Sequence, residues 1–186
     1  EIDKHAMKVT QSNYSKTVQL GDVTKLNAKD LPEIDLLMGG SPCQGFSFAG
    51  KQLNFKDERS KLFFEFVRIM DEVKPKYFLL ENVRMSKKSQ DVISYYLGVE
   101  PVMINSSNFT AQNRVRYYWT NIPISEYKDL GITLESVVGQ PCVGASRRGR
   151  YISGKSGKTI QKEELRKDLK ANSMTTVAKN CMVKIK

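Results

Sequence analysis

Short apolar runs alternate with segments of helical apolar spacing along the first two thirds of this chain. Thr17-Val18-Gln19-Leu20 predicts a short strand that ends at Gly21-Asp22-Val23. A second strand is predicted through Leu36-Leu37-Met38, closing on Gly39-Gly40-Ser41. From Gly45 to Asn54 the chain is rich in glycine and small polar residues and reads as a loop. Leu62, Phe63, Phe66, Val67, Met70 and Val73 then recur three and four residues apart, which predicts an amphipathic helix. Ser60 or Asp57 is its candidate N-cap, and Lys74-Pro75 its stop. Tyr77 to Leu80 predicts the next strand. Asp91 to Leu97 predicts a short helix that Gly98 terminates. Val99 to Asn105 and Arg116 to Ile122 predict two further strands. Strands that alternate with helices imply an α/β fold, with a mostly parallel sheet and helices on both faces.

From about Gly139 the pattern loosens, and charge marks the same break. Residues 145–186 hold 12 Lys/Arg against 3 Asp/Glu, whereas residues 1–144 are nearly balanced at 18 against 17. We therefore divide the chain into residues 1–138, an α/β domain, and 139–186, a basic region. Concentrated positive charge suits a polyanion, because neutralised phosphates release counterions. A solvated basic tail has the same composition. No stretch approaches the roughly 20 apolar residues of a membrane span. The first residues carry no signal-peptide pattern, so a cytoplasmic location is the expectation. Cys43, Cys142 and Cys181 are odd in number and widely spaced. They fit neither a disulfide framework nor a zinc site, and read as reduced thiols without a metal.

Two polar clusters directly follow apolar runs: Pro42-Cys43-Gln44 after the second strand, and Glu81-Asn82-Val83 after Leu80. Parallel strands would bring both to one rim of the sheet, outside the carboxyl ends, where ligands of open α/β sheets bind. A lone cysteine is most often a small buried hydrophobe. The Gly45, Ser47 and Gly50 that follow Cys43 suit an exposed loop, where a thiolate can act as a nucleophile. The only histidine, His5, lies far away in sequence, which argues against a Cys-His protease. Glu81 either caps the next element or, in a low-dielectric cleft, offers a proton to a heterocycle nitrogen. Asp22 either serves the turn after Gly21 or accepts from an exocyclic amine. Glu1 fits an acid that holds ribose hydroxyls. Arg114 and Arg116, two apart, share a face if the strand begins there. They would orient a base or phosphate, or serve a solvated edge strand.

The ordered set Pro42-Cys43-Gln44, Glu81-Asn82-Val83 and Gln112-x-Arg114-x-Arg116 resembles the C5 cytosine DNA methyltransferases of bacteria and phages. Gly45-Phe46-Ser47 and Asp57-x-Arg59-Ser60-x-Leu62-Phe63 strengthen the likeness, which covers residues 1 to about 124. It continues more weakly from Arg147 to Val177, as the start of a target recognition region. The resemblance implies a Rossmann-like fold dependent on S-adenosylmethionine. It implies that Cys43 attacks C6 of a flipped-out cytosine, that Glu81 contacts N3 and the amino group, and that Arg114 and Arg116 orient the base. Glu1, Asp22, Val23 and Pro42 would contact the cofactor. Gln44, Ser47, Arg59 and Gln112 would contact double-stranded DNA, with Arg147, Arg148, Arg150 and Lys155 as further candidates.

The family's opening Phe-x-Gly-x-Gly loop and its closing blocks have no counterpart here. The expectation is therefore a fragment, or one part of a split enzyme that a second chain completes. Two other readings share these residues: a cytosine methyltransferase acting on transfer RNA, and a non-catalytic remnant that binds DNA or a partner.

Overall fold

A computed structural model describes residues 1–41, 58–151, 159–173 and 181–185. The described chain forms two compact units. One comprises Glu1–Val102 with Tyr117–Pro123, the other Met103–Arg116 with Ile124–Lys186.

The first unit opens with α1 (Lys4–Asn13), whose N-terminus is capped by the Asp3 carboxylate accepting from the amides of His5 and Ala6. No regular strand forms over Thr17 to Leu20. Two short 3-10 turns follow, Val23–Lys25 capped by Asp22 and Ala28–Asp30 capped by Asn27. The main elements are β1 (Leu36–Gly39), α2 (Glu58–Val73), β2 (Tyr77–Val83) and α3 (Lys87–Leu97). Next come β3 (Val102–Asn105), nearly all of which belongs to the second unit, and β4 (Val115–Thr120), which belongs to the first from Tyr117 onward. The sheet order is β1-β2-β4-β3. β1 and β2 run parallel, with Leu36 opposite Tyr77 and Gly39 opposite Leu80.

Local chemistry sets the ends of these elements. Ser60 lies inside α2, so it is not the cap, and Asp57 lies outside the described residues. α2 stops where Lys74 turns to positive φ ahead of Pro75, a residue that cannot donate to the helix ladder. α3 begins four residues before the apolar pattern, because Ser86 accepts from the Ser89 amide and caps a polar first turn. It ends at Gly98, whose left-handed backbone closes on the Ser94 carbonyl.

One core holds this unit together. Phe63 and Phe66 of α2, Phe78 and Leu80 of β2, Ile93 and Leu97 of α3, Met85 and Trp119 are all buried in it. α2 and α3 meet edge-on through Phe63, Phe64 and Tyr96. The Trp119 indole donates to the Ser94 hydroxyl at 3.0 Å, which fastens α3 to β4. A Cβ on Gly39 would stand 2.7 Å from the Phe66 ring, so β1 admits α2 this closely only at glycine. The alternate residues Leu36 and Met38 are exposed, Met38 to 63%.

The second unit contains α4 (Leu134–Val138), held by a capping box between Thr133 and Ser136. Three antiparallel strands follow: β5 (Cys142–Tyr151), β6 (Thr159–Leu165) and β7 (Met182–Ile185), with β5 central. Arg147 pairs with Glu163 across β5 and β6, and Val143 with Lys184 across β5 and β7. The basic region is thus built as a sheet around one well-buried stretch, Cys142 to Ser146.

Candidate functional site

The first half of the site is the rim where β1 and β2 end. β2 extends through Glu81, Asn82 and Val83, so these residues belong to the strand itself. In a strand, neighbours face opposite ways. Asn82 follows Phe78 and Leu80 into the interior and is only 1% exposed, while Glu81 takes the other face and is half-buried. A buried amide must find partners. Asn82 Nδ2 donates to Ser41 Oγ at 3.0 Å, and its Oδ1 accepts from the Val83 amide at 2.8 Å. Ser41 immediately precedes Pro42-Cys43-Gln44 in sequence, so this clasp holds the last described residue before the cysteine. A Cβ on Gly40 would stand 3.4 Å from Glu81 Oε2, which places the carboxylate against the end of β1. β1 and β2 run parallel and end side by side, with Glu81 at that end of β2. Pro42, Cys43, Gln44 and Ser47 lie outside the described residues. Sequence reasoning passed over Asn82 and Ser41, although a polar residue in register with a buried alternation is the signal that marks them.

The same unit brings Glu1 beside Asp22. The Glu1 backbone nitrogen donates to the Gly21 carbonyl at 3.1 Å. Glu1 Oε1 accepts from the amides of Ile2 and Asp3, both at 2.8 Å, and these bonds hold its carboxyl below the ordinary carboxylate value. Asp22 Oδ1 accepts from the Thr24 hydroxyl at 2.8 Å and the Thr24 amide at 3.0 Å, which lowers its pKa as well. Each carboxylate satisfies its local turn through one oxygen. No hydrogen bond reaches Glu1 Oε2 or Asp22 Oδ2 among the described residues. Val23 is partly exposed and lines an apolar cavity of about 470 Å³, together with Leu26, Leu37, Gly40, Ser41 and Phe66. Two carboxylates, each with one oxygen not used by its local turn, and an apolar hollow lined by Val23 next in sequence to Asp22 suit a nucleoside: acceptors for hydroxyls and an amine, and a greasy wall for a ring.

Gln112, Arg114 and Arg116 belong to the second unit. Their segment is fastened at several points. The Arg114 amide donates to Asn105 Oδ1 at 3.0 Å and its carbonyl accepts from the Ser106 amide at 3.1 Å. Ser106 Oγ donates to the Gln112 carbonyl at 2.7 Å. Gln112 also bridges Ala171 in parallel β fashion, and its side-chain amide donates to the Asn172 carbonyl at 3.3 Å. That engagement turns the Gln112 amide toward the protein's own backbone. Arg116 begins inside β4, one residue after its start, and its Nη1 donates to the Val115 carbonyl at 2.7 Å.

On the three-stranded sheet, Arg147 is exposed and makes a long 3.9 Å ion pair with Glu163. Lys184 holds Glu163 more closely, at 2.7 Å, and is the main reason its carboxyl is pulled down. Arg148 and Arg150 are on β5 opposite Lys162 and Ile160, and Arg59 is on the first turn of α2; their side chains lie outside the described residues, as does Lys155. Among the described residues, no group of three His, Cys, Asp or Glu side chains is placed to hold a metal. No described helix is long and apolar enough to cross a membrane.

Comparison with known proteins agrees with this geometry. The Type II methyltransferase M1.ScrFI of Lactococcus lactis subsp. cremoris is 53% identical over 87 residues, which are 47% of this chain and 22% of that protein. The Type II methyltransferase M.BanI of Aneurinibacillus aneurinilyticus is 41% identical over 150 residues, 75% of this chain and 34% of that protein. This chain thus spans about a third or less of the length of such relatives. Among solved structures, a DNA modification methyltransferase encoded within a prophage (E. coli) superimposes with a TM-score of 0.58 at 24% identity. That match covers 85% of this chain and 53% of the other, and shows a shared Rossmann-like α/β fold. The sequence profile for C-5 cytosine-specific DNA methylase matches residues 1–133, well over half of the sequence, and the chain belongs to that family.

Proposed function

We propose that this chain supplies the catalytic rim of a DNA cytosine-5 methyltransferase. The observation that carries the reading is the clasp between Asn82 and Ser41, which ties the strand bearing Glu81 to the strand leading into Cys43. A cytosine inside a duplex is closed to attack on its ring face, so the base must leave the stack first. The Cys43 thiolate then adds to C6 of the extruded base. Electron density moves toward C5 and N3 as it does so. Glu81, from its half-buried place on the rim, holds N3 and the amino group and steadies the charge that develops there. Arg114 and Arg116 orient the base through its carbonyl, a task suited to the rigid guanidinium fork. Once C5 has taken up an electrophilic methyl group, with the donor's sulfur keeping the electron pair of the broken S–CH3 bond, loss of the C5 proton allows the Cys43–C6 bond to break and restores the thiolate.

The residues near the first unit's cavity fit S-adenosylmethionine. Glu1 would accept from ribose hydroxyls and Asp22 from the adenine amine, with Val23 and Pro42 against the ring. When bound, this cofactor supplies an electrophilic methyl group. Gln44, Ser47 and Arg59 are the proposed DNA contacts from the loop side, with Gln112, Arg147, Arg148 and Arg150 from the second unit. Residues 139–186 act as part of a target recognition region, and relatives of this chain are named Type II methyltransferases or orphan methyltransferases. A cellular compartment that contains DNA follows from the same reading.

Transfer of a labelled methyl group to duplex DNA, with transfer RNA as the parallel substrate, tests it in the protein that carries this chain. Label at C5 of cytosine in DNA, lost in Cys43→Ser, is the expected result. Label in transfer RNA alone would overturn the choice of substrate.

A further inference from the structure

Lys170 lies in the basic region 145–186, whose charge suits a polyanion or a solvated face. The structure removes it from that role, because the residue is only 8% exposed. Its Nζ points into the second unit and donates to three backbone carbonyls: Ser107 at 2.8 Å, Thr110 at 3.3 Å, and Ile132. An ammonium has three N–H donors and no acceptor, so three carbonyls satisfy it. Two of the three belong to the loop that leads directly into Gln112.

The residues after Lys170 continue the hold. The Ala171 amide donates to the Ala111 carbonyl at 2.6 Å, and the Asn113 amide donates to the Ala171 carbonyl at 2.9 Å. Ser173 Oγ donates to the Asn113 carbonyl at 2.8 Å. This four-residue strap is anchored on the sheet side as well. Asn172 Nδ2 donates to the Ala145 carbonyl of β5 at 3.2 Å, and a Cβ on Gly144 would collide with the Lys170 carbonyl. Backbone held from both sides in this way has few alternatives open to it.

We propose that the strap Lys170–Ser173 is a positioning device for the Gln112–Arg116 segment, with Lys170 as its main fastener. The strap splices the recognition sheet to the backbone that carries Arg114 and Arg116, so that the arginines are preset before a base arrives. Preset geometry matters here because a small misplacement of a positioning group is costly in rate. The inference rests on the proposed methyltransferase reading for its catalytic consequence, but not for its structural one.

The test compares wild type, Lys170→Met, Lys170→Arg and Ser173→Ala. Hydrogen exchange at the Asn113 and Ala171 amides should quicken about tenfold or more in Lys170→Met, with amides of the β5–β6 ladder unchanged. Lys170→Arg, which keeps donors at the site, should recover part of the protection. On duplex DNA carrying 5-fluorocytosine, adduct formation at saturating DNA should slow about tenfold or more in Lys170→Met while DNA affinity stays within about twofold. The salt slope of binding should also be unchanged, whereas loss of a phosphate contact lowers it by about one. Unchanged exchange at Asn113 and Ala171 in folded Lys170→Met overturns the proposal, and so does a reduced salt slope. If Lys170→Met does not fold, Ser173→Ala decides instead: faster exchange at Asn113 supports the strap, and none refutes it. Absence of any adduct in wild type defeats the methyltransferase reading alone, and the exchange results still judge the strap.

Discussion

Removing the Asn82 side chain should weaken the protein and release Ser41 from the end of β2. Asn82→Ala deletes three hydrogen bonds: one to Ser41 Oγ at 3.0 Å, a long one to the Ser41 carbonyl at 3.5 Å, and one from the Val83 amide at 2.8 Å. The site is almost sealed, since Asn82 is 1% exposed, so water cannot readily replace both partners. Leaving the Val83 amide without an acceptor costs about 1–2 kcal/mol. The half-exposed Ser41 hydroxyl recovers part of its loss from water and adds about 0.5 kcal/mol. The vacated volume adds about 1 kcal/mol more. The sum predicts about 3 kcal/mol of destabilisation, read as a shift of the urea midpoint at constant slope. A double-mutant cycle with Ser41→Ala isolates the clasp itself, and should return a coupling of about 1 kcal/mol. Ser41→Ala alone should cost little. A coupling within about 0.3 kcal/mol of zero would refute the claim that this bond joins the two strand ends.

Three further expectations test other joints. Gly39→Ala should destabilise the first unit by about 1–3 kcal/mol, because its Cβ meets the Phe66 ring of α2; the midpoint of thermal unfolding reads it. Trp119→Phe should cost about 2 kcal/mol, since the Ser94 hydroxyl loses its indole partner in a buried setting; a smaller effect in a Ser94→Ala background would identify that bond as the cause. Asp168 gives a pH signature. The Arg166 guanidinium is the main reason that its carboxyl is held down to about 2 from the ordinary 3.8, with the Lys170 amide and the Asn113 side chain helping. The folded pKa is depressed, so the contribution is complete above about 3.8 and disappears as the pH falls through about 2. The stability gap between wild type and Asp168→Asn should therefore close across that window, and a gap that persists at its acid end would contradict the assignment.

What the sequence could show was set by how local each interaction is. The α2 helix was legible because Phe63, Phe66, Val67 and Met70 recur at helical spacing and pack in or against the core, while Leu62 and Val73 line the cavity. The first turn of α3 was not, because Lys87, Lys88, Ser89 and Gln90 carry no apolar period and depend on the Ser86 cap. Thr17 to Leu20 has strand-like composition, but a strand needs a neighbour, and none pairs with it among the described residues. β5 was hidden for the opposite reason. Its glycines and arginines look like a loop, and only pairing with β6 and β7 makes it a strand.

The site divides along the same line. Glu81 could be placed on the rim from its apolar run alone, because parallel strands end together. The Asn82–Ser41 clasp spans 41 residues and the Lys170 contacts span 38 to 63, distances over which no sequence period operates. Lys170 also shows how composition misleads. The charge of its segment suits a polyanion or solvent, yet this lysine is buried and holds three backbone carbonyls.

The claim that matters most is that Cys43 attacks a cytosine held at this rim. Duplex DNA with 5-fluorocytosine at candidate target positions, mixed with the protein and S-adenosylmethionine, tests it directly, because fluorine cannot leave as the C5 proton does. The account predicts a denaturation-resistant protein–DNA adduct that maps to Cys43 and is lost in Cys43→Ser. An adduct that survives Cys43→Ser, or methylation of cytosine C5 that proceeds at the wild-type rate in that variant, would contradict it.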